Sequence, residues 1–220
     1  MSGPDPRCSN SDMFAIAVKV FAASLLGSRN GSLILGRLIG VDIRQEGRGN
    51  AGGPKALRTH GKFVALGVVL IEVLKAVAAA AWLPRLGAGS ADALPWVQVA
   101  CGAAAVIGHC YPIYFGFRGG KGMATLIGVY AVLSPGVLLV VVLTWLASMM
   151  LFGYVGIATM AGAAAAPVYT VLTGQGMNSP ILLFSLAMAL LIIYTHRSNL
   201  ARLRSGTEHR MFRALLTRRH

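Results

Sequence analysis

Long apolar stretches, separated by short segments rich in glycine and basic residues, restrict most strongly how this chain can fold. Of its 220 residues, 55% are hydrophobic and only 12% are charged, and the mean hydropathy is +0.66. A soluble globular domain carries about 25% charged residues. The composition therefore indicates a single domain embedded in a membrane.

Seven of these stretches approach the length of about 20 apolar residues that a membrane-spanning helix needs. The sequence thus predicts an all-α, polytopic membrane protein with about seven transmembrane helices. The predicted spans are residues 13–27 (extended to about Ile39 through Ser28-Arg29-Asn30), 62–83, 96–115, 123–133, 135–152, 155–172 and 181–195. Residues 1–12 are interpreted as a disordered N-terminal extension, residues 13–210 as the membrane domain and residues 211–220 as a basic C-terminal tail.

Basic residues are distributed unevenly between the two ends of the predicted spans. Fourteen of the 20 Lys and Arg residues fall in the segments 40–62 and 116–122 and in the tail from His196, whereas the alternating loops hold only Arg85. Positively charged loops stay in the cytoplasm, so we expect these three segments on the cytoplasmic face and the amino terminus outside. The net charge of +13 then fits membrane lipids and phosphorylated ligands, and it does not indicate nucleic acid.

Cys101 and Cys110, which share one apolar stretch, are interpreted as packing groups, and so are Glu72 and Lys75. Cys8, Cys101 and Cys110 form neither a CxxC pair nor a metal-binding spacing, so no disulfide framework, metal or other cofactor is predicted. Glu72 and Lys75 lie three residues apart in an apolar span. We expect them to neutralise each other while they face the helix bundle.

Glycine-rich segments with basic residues, on the predicted cytoplasmic face, are typical of anion binding. The first loop, residues 41–58, has four glycines in seven positions, together with Arg48, Lys55 and Arg58. Glycine lets backbone N–H groups approach an anion closely. The alternative is a flexible basic linker that contacts lipid headgroups.

The second and third loops add a helix N-terminus and a polar pair. Residues 116–122, GFRGGKG, lead directly into the predicted helix at Met123, which would align the helix dipole with an anion. In the third loop, residues 195–208, His196 and Asn199 share one face of a helix. They either bind one ligand together or only cap the end of a span.

Taken together, these segments resemble the PlsY family, the acyl-phosphate:glycerol-3-phosphate acyltransferases. Residues 108–125, GHCYPIYFGFRGGKGMAT, are similar to the family pattern GHxxPxFxxFKGGKGVAT, and residues 194–208 are similar to YxHxxNIxRLxxGxE. Residues 42–44 and 49–50 match part of the family's first loop, DIRxxGSGNxGATNxxR.

The resemblance implies a reaction and a set of site residues in a bacterial inner (plasma) membrane. A fatty acyl group would pass from acyl phosphate to the 1-hydroxyl of glycerol 3-phosphate, giving lysophosphatidate and phosphate in phospholipid synthesis. The implied catalytic residues are His196, Asn199 and Arg58. The implied phosphate- and substrate-binding residues are Arg48, Asn50, Gly52, Arg118, Gly119, Gly120, Lys121 and Gly122.

Departures from the family pattern are concentrated in the first loop. Arg48 replaces the serine of GSGN, and Pro54-Lys55 replaces a Thr-Asn pair. A guanidinium is bulky and permanently charged, and proline has no backbone donor. Arg48 either grips phosphate or blocks the site. The alternatives to the implied activity are an enzyme with a different acceptor or acyl donor, a protein that binds phospholipid or a partner without catalysis, and a small phosphate-permeating protein.

Overall fold

The computed structural model describes residues 10–38, 53–87 and 93–211, without the side chains of residues 37, 38, 53–56, 58 and 59. Across these ranges the chain is helical and contains no strand, which confirms the all-α prediction. The helices are α1 Asn10–Gly27, α2 Gly31–Leu38, α3 Gly53–Ala81, α4 Leu94–Cys110, α5 Met123–Leu133, α6 Pro135–Phe152, α7 Val155–Leu172, α8 Pro180–Thr195 and α9 Arg197–Arg204. Short 3-10 turns occupy Leu83–Arg85 and Ile113–Phe115.

The number of helices that can cross a membrane is close to the predicted number. Within the described ranges, α1, α3, α4, α6 and α7 are long and apolar enough, and α8 with α9, bent by 49°, would make a sixth span. Helix α5 has only 11 residues, fewer than a span needs. The predicted count of seven is therefore approximate, whereas the polytopic architecture holds.

Several helix boundaries follow from capping residues that the sequence displays. The Oγ of Ser134 accepts a hydrogen bond from the N–H of Val137 at the start of α6, and Pro135 occupies the first turn. Gly153 ends α6 with a positive φ of 75°. The predicted bounds of α6 and α7 are confirmed, and α8 begins one residue earlier than predicted.

The first predicted span consists of two helices separated by Ser28-Arg29-Asn30. Helix α1 begins at Asn10, three residues before the predicted start, because Asp12 supplies a favourable negative charge to its first turn. The extension predicted for residues 1–12 stays a prediction, and its last three residues belong to α1. Residues 1–9 and 212–220, which include most of the predicted tail, lie outside the described residues.

Helices α3 and α4 also differ from their predicted bounds. Helix α3 begins at Gly53 and bends at Gly61, whose φ of 84° is outside the helical region, so the straight part starts at the predicted residue, Lys62. Helix α4 begins at Leu94 and ends at Cys110 instead of Phe115. The following Pro112 disfavours helical backbone at Tyr111.

Close contacts between small residues fix the relative directions of the helices. Gly128 of α5 lies against Val73 and Ala76 of α3, and Thr125, one turn earlier in α5, donates a hydrogen bond to Glu72, so α3 and α5 run in the same direction. Gly31 of α2 lies against Ile71, whereas Leu35 approaches Gly67, so α2 runs opposite to α3. The helix ends that flank residues 39–52 therefore point towards the end of the bundle where α5 begins.

Candidate phosphate-binding site

The second loop, residues 116–122, which we call the glycine loop, folds back onto the end of α4. The N–H of Gly119 donates to the carbonyl of Cys110 at 3.2 Å, and the N–H of Gly120 donates to the carbonyl of His109 at 3.1 Å. A side chain at either position would collide with His109, because a Cβ on Gly120 would lie 2.1 Å from its Nε2. These two glycines therefore seat the loop on α4.

The glycine loop then turns into α5. Gly122 has a φ of 91° and precedes the first turn of α5, a conformation that favours glycine. The amides of Gly119 and Gly120 already donate to protein carbonyls, so the N-terminus of α5 and the Lys121 ammonium are the groups of this loop that best suit an anion. Direct phosphate contact through Lys121 and Gly122 stays a prediction.

Lys121 joins the glycine loop to the third loop. Its Nζ donates to Oδ1 of Asn199, and its carbonyl accepts a hydrogen bond from Oγ1 of Thr195 at 3.0 Å. Nδ2 of Asn199 donates to Oε1 of Glu208 at 2.7 Å, while Nε of Arg202 donates to Oε2 of the same carboxylate at 2.6 Å. Glu208 thus fixes the orientation of the Asn199 amide and braces the third loop.

His196 lies at the junction of α8 and α9 and is buried. Its Nδ1 lies 2.8 Å from the carbonyl oxygen of Ile192. A carbonyl can only accept a hydrogen bond, so Nδ1 carries the proton and Nε2 of the neutral ring is an acceptor. This tautomer suits a ligand hydroxyl group as the donor.

The connection between α6 and α7 forms one wall of this region, and sequence reasoning missed it. Gly156 packs so closely that a Cβ would lie 2.7 Å from the Cβ of Asn199. The hydroxyl of Tyr154 accepts a hydrogen bond from Nε of Arg210 at 3.0 Å. The Gly153-Tyr154 pair between two apolar helices was the available signal, but it carries no charge that indicates a site.

The predicted site residues fall into three groups. The glycine loop, with Gly119, Gly120, Lys121 and Gly122, meets the third loop through Lys121, which contacts Asn199 and Thr195 beside His196, whereas the side chain of Arg118 is exposed. Arg48, Asn50 and Gly52 lie outside the described residues. Arg58 lies in α3, but its side chain is outside the description.

In the described ranges, neither a second cavity nor a metal-binding cluster contributes to this site. An apolar groove of about 350 Å³, lined by Val140, Ala164, Val168 and neighbouring residues, lies between α6 and α7 and offers no cation for a phosphate. No three His, Cys, Asp or Glu side chains in these ranges lie close enough to hold a metal ion.

The Lys121 ammonium is poised to lose its proton at moderately alkaline pH. Burial, with a smaller contribution from the nearby Arg202, lowers the pKa of Lys121 to about 8, while Glu208 opposes the shift. The charged form predominates below this pKa, so attraction for a phosphate is present below it and is lost as the pH rises through it.

We therefore expect kcat/KM for a phosphorylated substrate to decline above about pH 8, as the Lys121 pKa requires. The matched control is Lys121→Arg, since a guanidinium stays charged throughout this range. Its residual activity should show no decline near pH 8. The same decline in both proteins would assign the ionisation to another group.

Comparison with known proteins finds a matching family and similar relatives. Residues 17–206 match the family described as "Glycerol-3-phosphate acyltransferase". The chain is 37% identical to the protein of that name from Aquifex aeolicus, over 90% of this chain and all of the relative. It is 38% identical to the one from Halalkalibacterium halodurans, over 88% of this chain and 94% of the relative.

Solved structures agree with the sequence comparison. The glycerol 3-phosphate form of PlsY, an integral membrane glycerol 3-phosphate acyltransferase, superposes with a TM-score of 0.77 at 34% identity, covering 89% of this chain and 95% of that one. The lysophosphatidic acid form gives a TM-score of 0.79 at 34% identity, covering 92% and 99%. The resemblance noted in the three loops thus extends to the whole fold.

Proposed function

This chain belongs to the glycerol-3-phosphate acyltransferase family, and we propose that it moves a fatty acyl group from acyl phosphate to the 1-hydroxyl of glycerol 3-phosphate. It is a multi-pass membrane acyltransferase of phospholipid synthesis. The observation that best supports the proposed site is the contact of Lys121 with Asn199, because it joins the glycine loop to the third loop.

Acyl phosphate is an activated donor, so the reaction asks mainly for positioning and for stabilisation of charge. The hydroxyl oxygen of glycerol 3-phosphate attacks the acyl carbonyl carbon. The bond between that carbon and the phosphate oxygen breaks, and the proton of the hydroxyl passes to the departing phosphate. The products are lysophosphatidate and inorganic phosphate.

We assign the side chains to these steps as follows. Lys121 and Arg58 hold the substrate phosphates, and Gly122 presents the N-terminus of α5 to them. Nε2 of His196 accepts a hydrogen bond from the attacking hydroxyl, and Asn199 orients the acceptor. The arrangement of Lys121, Asn199 and Glu208 supports this assignment.

The roles proposed for the first loop rest on its sequence. Arg48 serves as an additional phosphate ligand, Asn50 and Gly52 shape the loop, and Arg118 contributes positive charge at the membrane surface. The directions of α2 and α3 support placing this loop beside the glycine loop. The matched test is Arg48→Ser, which restores the family residue.

An assay of the purified protein tests the donor and the role of Arg48 together. We expect labelled glycerol 3-phosphate to be acylated by palmitoyl phosphate and not by palmitoyl-CoA, with weaker transfer by Arg48→Ser. Faster transfer by Arg48→Ser would mean that Arg48 blocks the site. Transfer only to another polyol, or only from palmitoyl-CoA, would replace the proposed substrates. Complete inactivity of the folded protein would favour a non-catalytic lipid-binding role.

We also propose that the amino terminus lies outside and the carboxyl terminus lies in the cytoplasm, which requires the short helix α5 to provide the seventh crossing. The excess of basic residues in the three loops supports this orientation. Single cysteines placed in segments 44–58 and 197–219 of a cysteine-free variant should resist an impermeant maleimide in intact cells and react after lysis. Labelling from outside would reverse the orientation, and a cysteine at position 176 is the matched control for an external loop.

A further inference from the structure

A buried ion pair and an adjacent histidine lie inside the bundle, beneath the glycine loop. Glu72 and Lys75 are one turn apart on α3, with 2.5 Å between Oε2 and Nζ, and their exposed fractions are 2% and 7%. Nδ1 of His109 lies 2.7 Å from the same carboxylate oxygen. We call these three residues the buried ion cluster. The prediction that Glu72 and Lys75 face the bundle as a pair is confirmed.

The buried ion cluster supplies hydrogen-bond partners to backbone groups at the break in the first span. A break inside an apolar bundle leaves carbonyl groups at the end of α1 and N–H groups at the start of α2 without helical partners. Nζ of Lys75 donates to the carbonyls of Gly27 and Arg29 at 2.6 and 2.8 Å. Oε1 of Glu72 accepts from the N–H of Gly31 at 2.6 Å. Each charge also faces the helix end whose dipole it complements.

The same cluster also holds both sides of the glycine loop. On the side of α4, His109 contacts Oε2 of Glu72 through its ring and Gly120 through its carbonyl. On the side of α5, Oγ1 of Thr125 donates to Oε2 of Glu72 at 3.3 Å. Glu72 is thus bonded to the residues that precede and follow the loop, and also to α2, which leads towards the first loop.

We propose that Glu72, Lys75 and His109 are positioning residues for the acyl transfer: they hold the glycine loop in register with the broken α1–α2 span, so that Lys121 meets the acceptor phosphate. This inference rests on the proposed function. The three residues act through the loop, since none of them is part of the Lys121–Asn199 contact.

Apolar side chains in place of the buried ion cluster would not link α1, α2 and α4 by hydrogen bonds. Replacing a buried ion pair by hydrophobic residues of similar volume often leaves stability unchanged or improved. Apolar side chains, however, offer no hydrogen bonds to the carbonyls of α1, the amide of α2 and the imidazole at once. The connection between these elements is therefore what the charges add.

The double substitution Glu72→Gln with Lys75→Met tests the proposal, because it removes both charges and leaves no lone buried ion. The matched control is Ser185→Ala, which breaks the buried hydrogen bond between Ser185 and Tyr130 at 3.2 Å elsewhere in the bundle. Two readouts are compared in detergent-purified protein: steady-state kinetics for glycerol 3-phosphate and hydrogen–deuterium exchange of the peptide that contains Gly119 and Gly120.

If the double variant loses this positioning, its KM for glycerol 3-phosphate should rise about tenfold, because a small displacement of a binding group weakens substrate binding. It also predicts amide exchange at Gly119 and Gly120 about threefold faster or more, because their hydrogen bonds to α4 open more often. A substitution that only destabilises the fold lowers the amount of active protein and leaves KM unchanged. Ser185→Ala should behave in this way.

Unchanged exchange of the loop in the folded double variant, or a rise in KM no larger than that of Ser185→Ala, would overturn the proposal. If the double variant does not fold, Thr125→Val decides by the same two readouts, with smaller effects in the same direction. Wild-type protein without glycerol-3-phosphate transfer would refute the proposed function. Amide exchange would then still show whether the cluster holds the loop.

Discussion

Replacing Lys121 with methionine is expected to weaken the binding of glycerol 3-phosphate by about tenfold to a hundredfold, because a charge-assisted contact contributes about 1.5–3 kcal/mol. Methionine keeps the apolar stem of the lysine and removes the charge, so the loss reports on the ammonium group. Lys121→Ala should show at least the same loss. Equilibrium binding of labelled glycerol 3-phosphate measures the effect directly.

The control for this experiment is Lys62→Ala. Lys62 is an exposed lysine of α3 whose Nζ lies 5.4 Å from the ring centre of Phe63. Its removal changes the net charge equally, so it separates a specific contact from general attraction. Arg58→Ala is expected to resemble Lys121→Met. Wild-type binding by both Lys121→Met and Arg58→Ala would show that the phosphate site is elsewhere.

The sequence predicts the simple helices best, because their boundaries depend on neighbouring residues. Ser134 with Pro135 starts α6, and Gly153 ends it, so local capping decides both bounds. The end of α4 was predicted five residues too late. The apolar run continues to Phe115, but the backbone restriction imposed by Pro112 ends the helix first.

The glycine loop could be located from the sequence, but its hydrogen bonds could not. The residues GGKG before an apolar stretch indicate flexible backbone, positive charge and a helix N-terminus. The pattern does not reveal that the N–H groups of Gly119 and Gly120 donate to α4. That outcome depends on a tertiary contact between segments whose local preferences say nothing about each other.

The buried ion cluster shows the same limit. A Glu and a Lys three residues apart in a span predict a pair that faces the interior, and this part is correct. The partners of the pair come from α1, α2 and α4, which are distant in sequence. Pairing across apolar helices leaves no periodic signal, so the sequence could not indicate that the pair caps a broken helix.

Side chains at the two glycines of the loop would collide with different atoms of His109, so substitutions at them should be equally harmful in wild type but should respond differently to a change of the His109 side chain. A Cβ on Gly120 would lie 2.1 Å from Nε2 of His109, whereas a Cβ on Gly119 would lie 2.1 Å from the His109 carbonyl oxygen. Gly120→Ala and Gly119→Ala should each lower kcat/KM by about a hundredfold, because displacement of Lys121 by about 1 Å has an effect of this size. Gly176→Ala, which meets no atom within 4 Å, is the neutral control.

A shorter side chain at position 109 should relieve only one of these collisions. His109→Asn removes the ring atoms that a Cβ on Gly120 would meet, but it leaves the backbone carbonyl in place. We therefore expect Gly120→Ala to lower kcat/KM much less in the His109→Asn background than in wild type, and Gly119→Ala to lower it equally in both. Such non-additivity is the signature of direct contact. Equal effects of Gly120→Ala in the two backgrounds would mean that the loop does not rest on the imidazole.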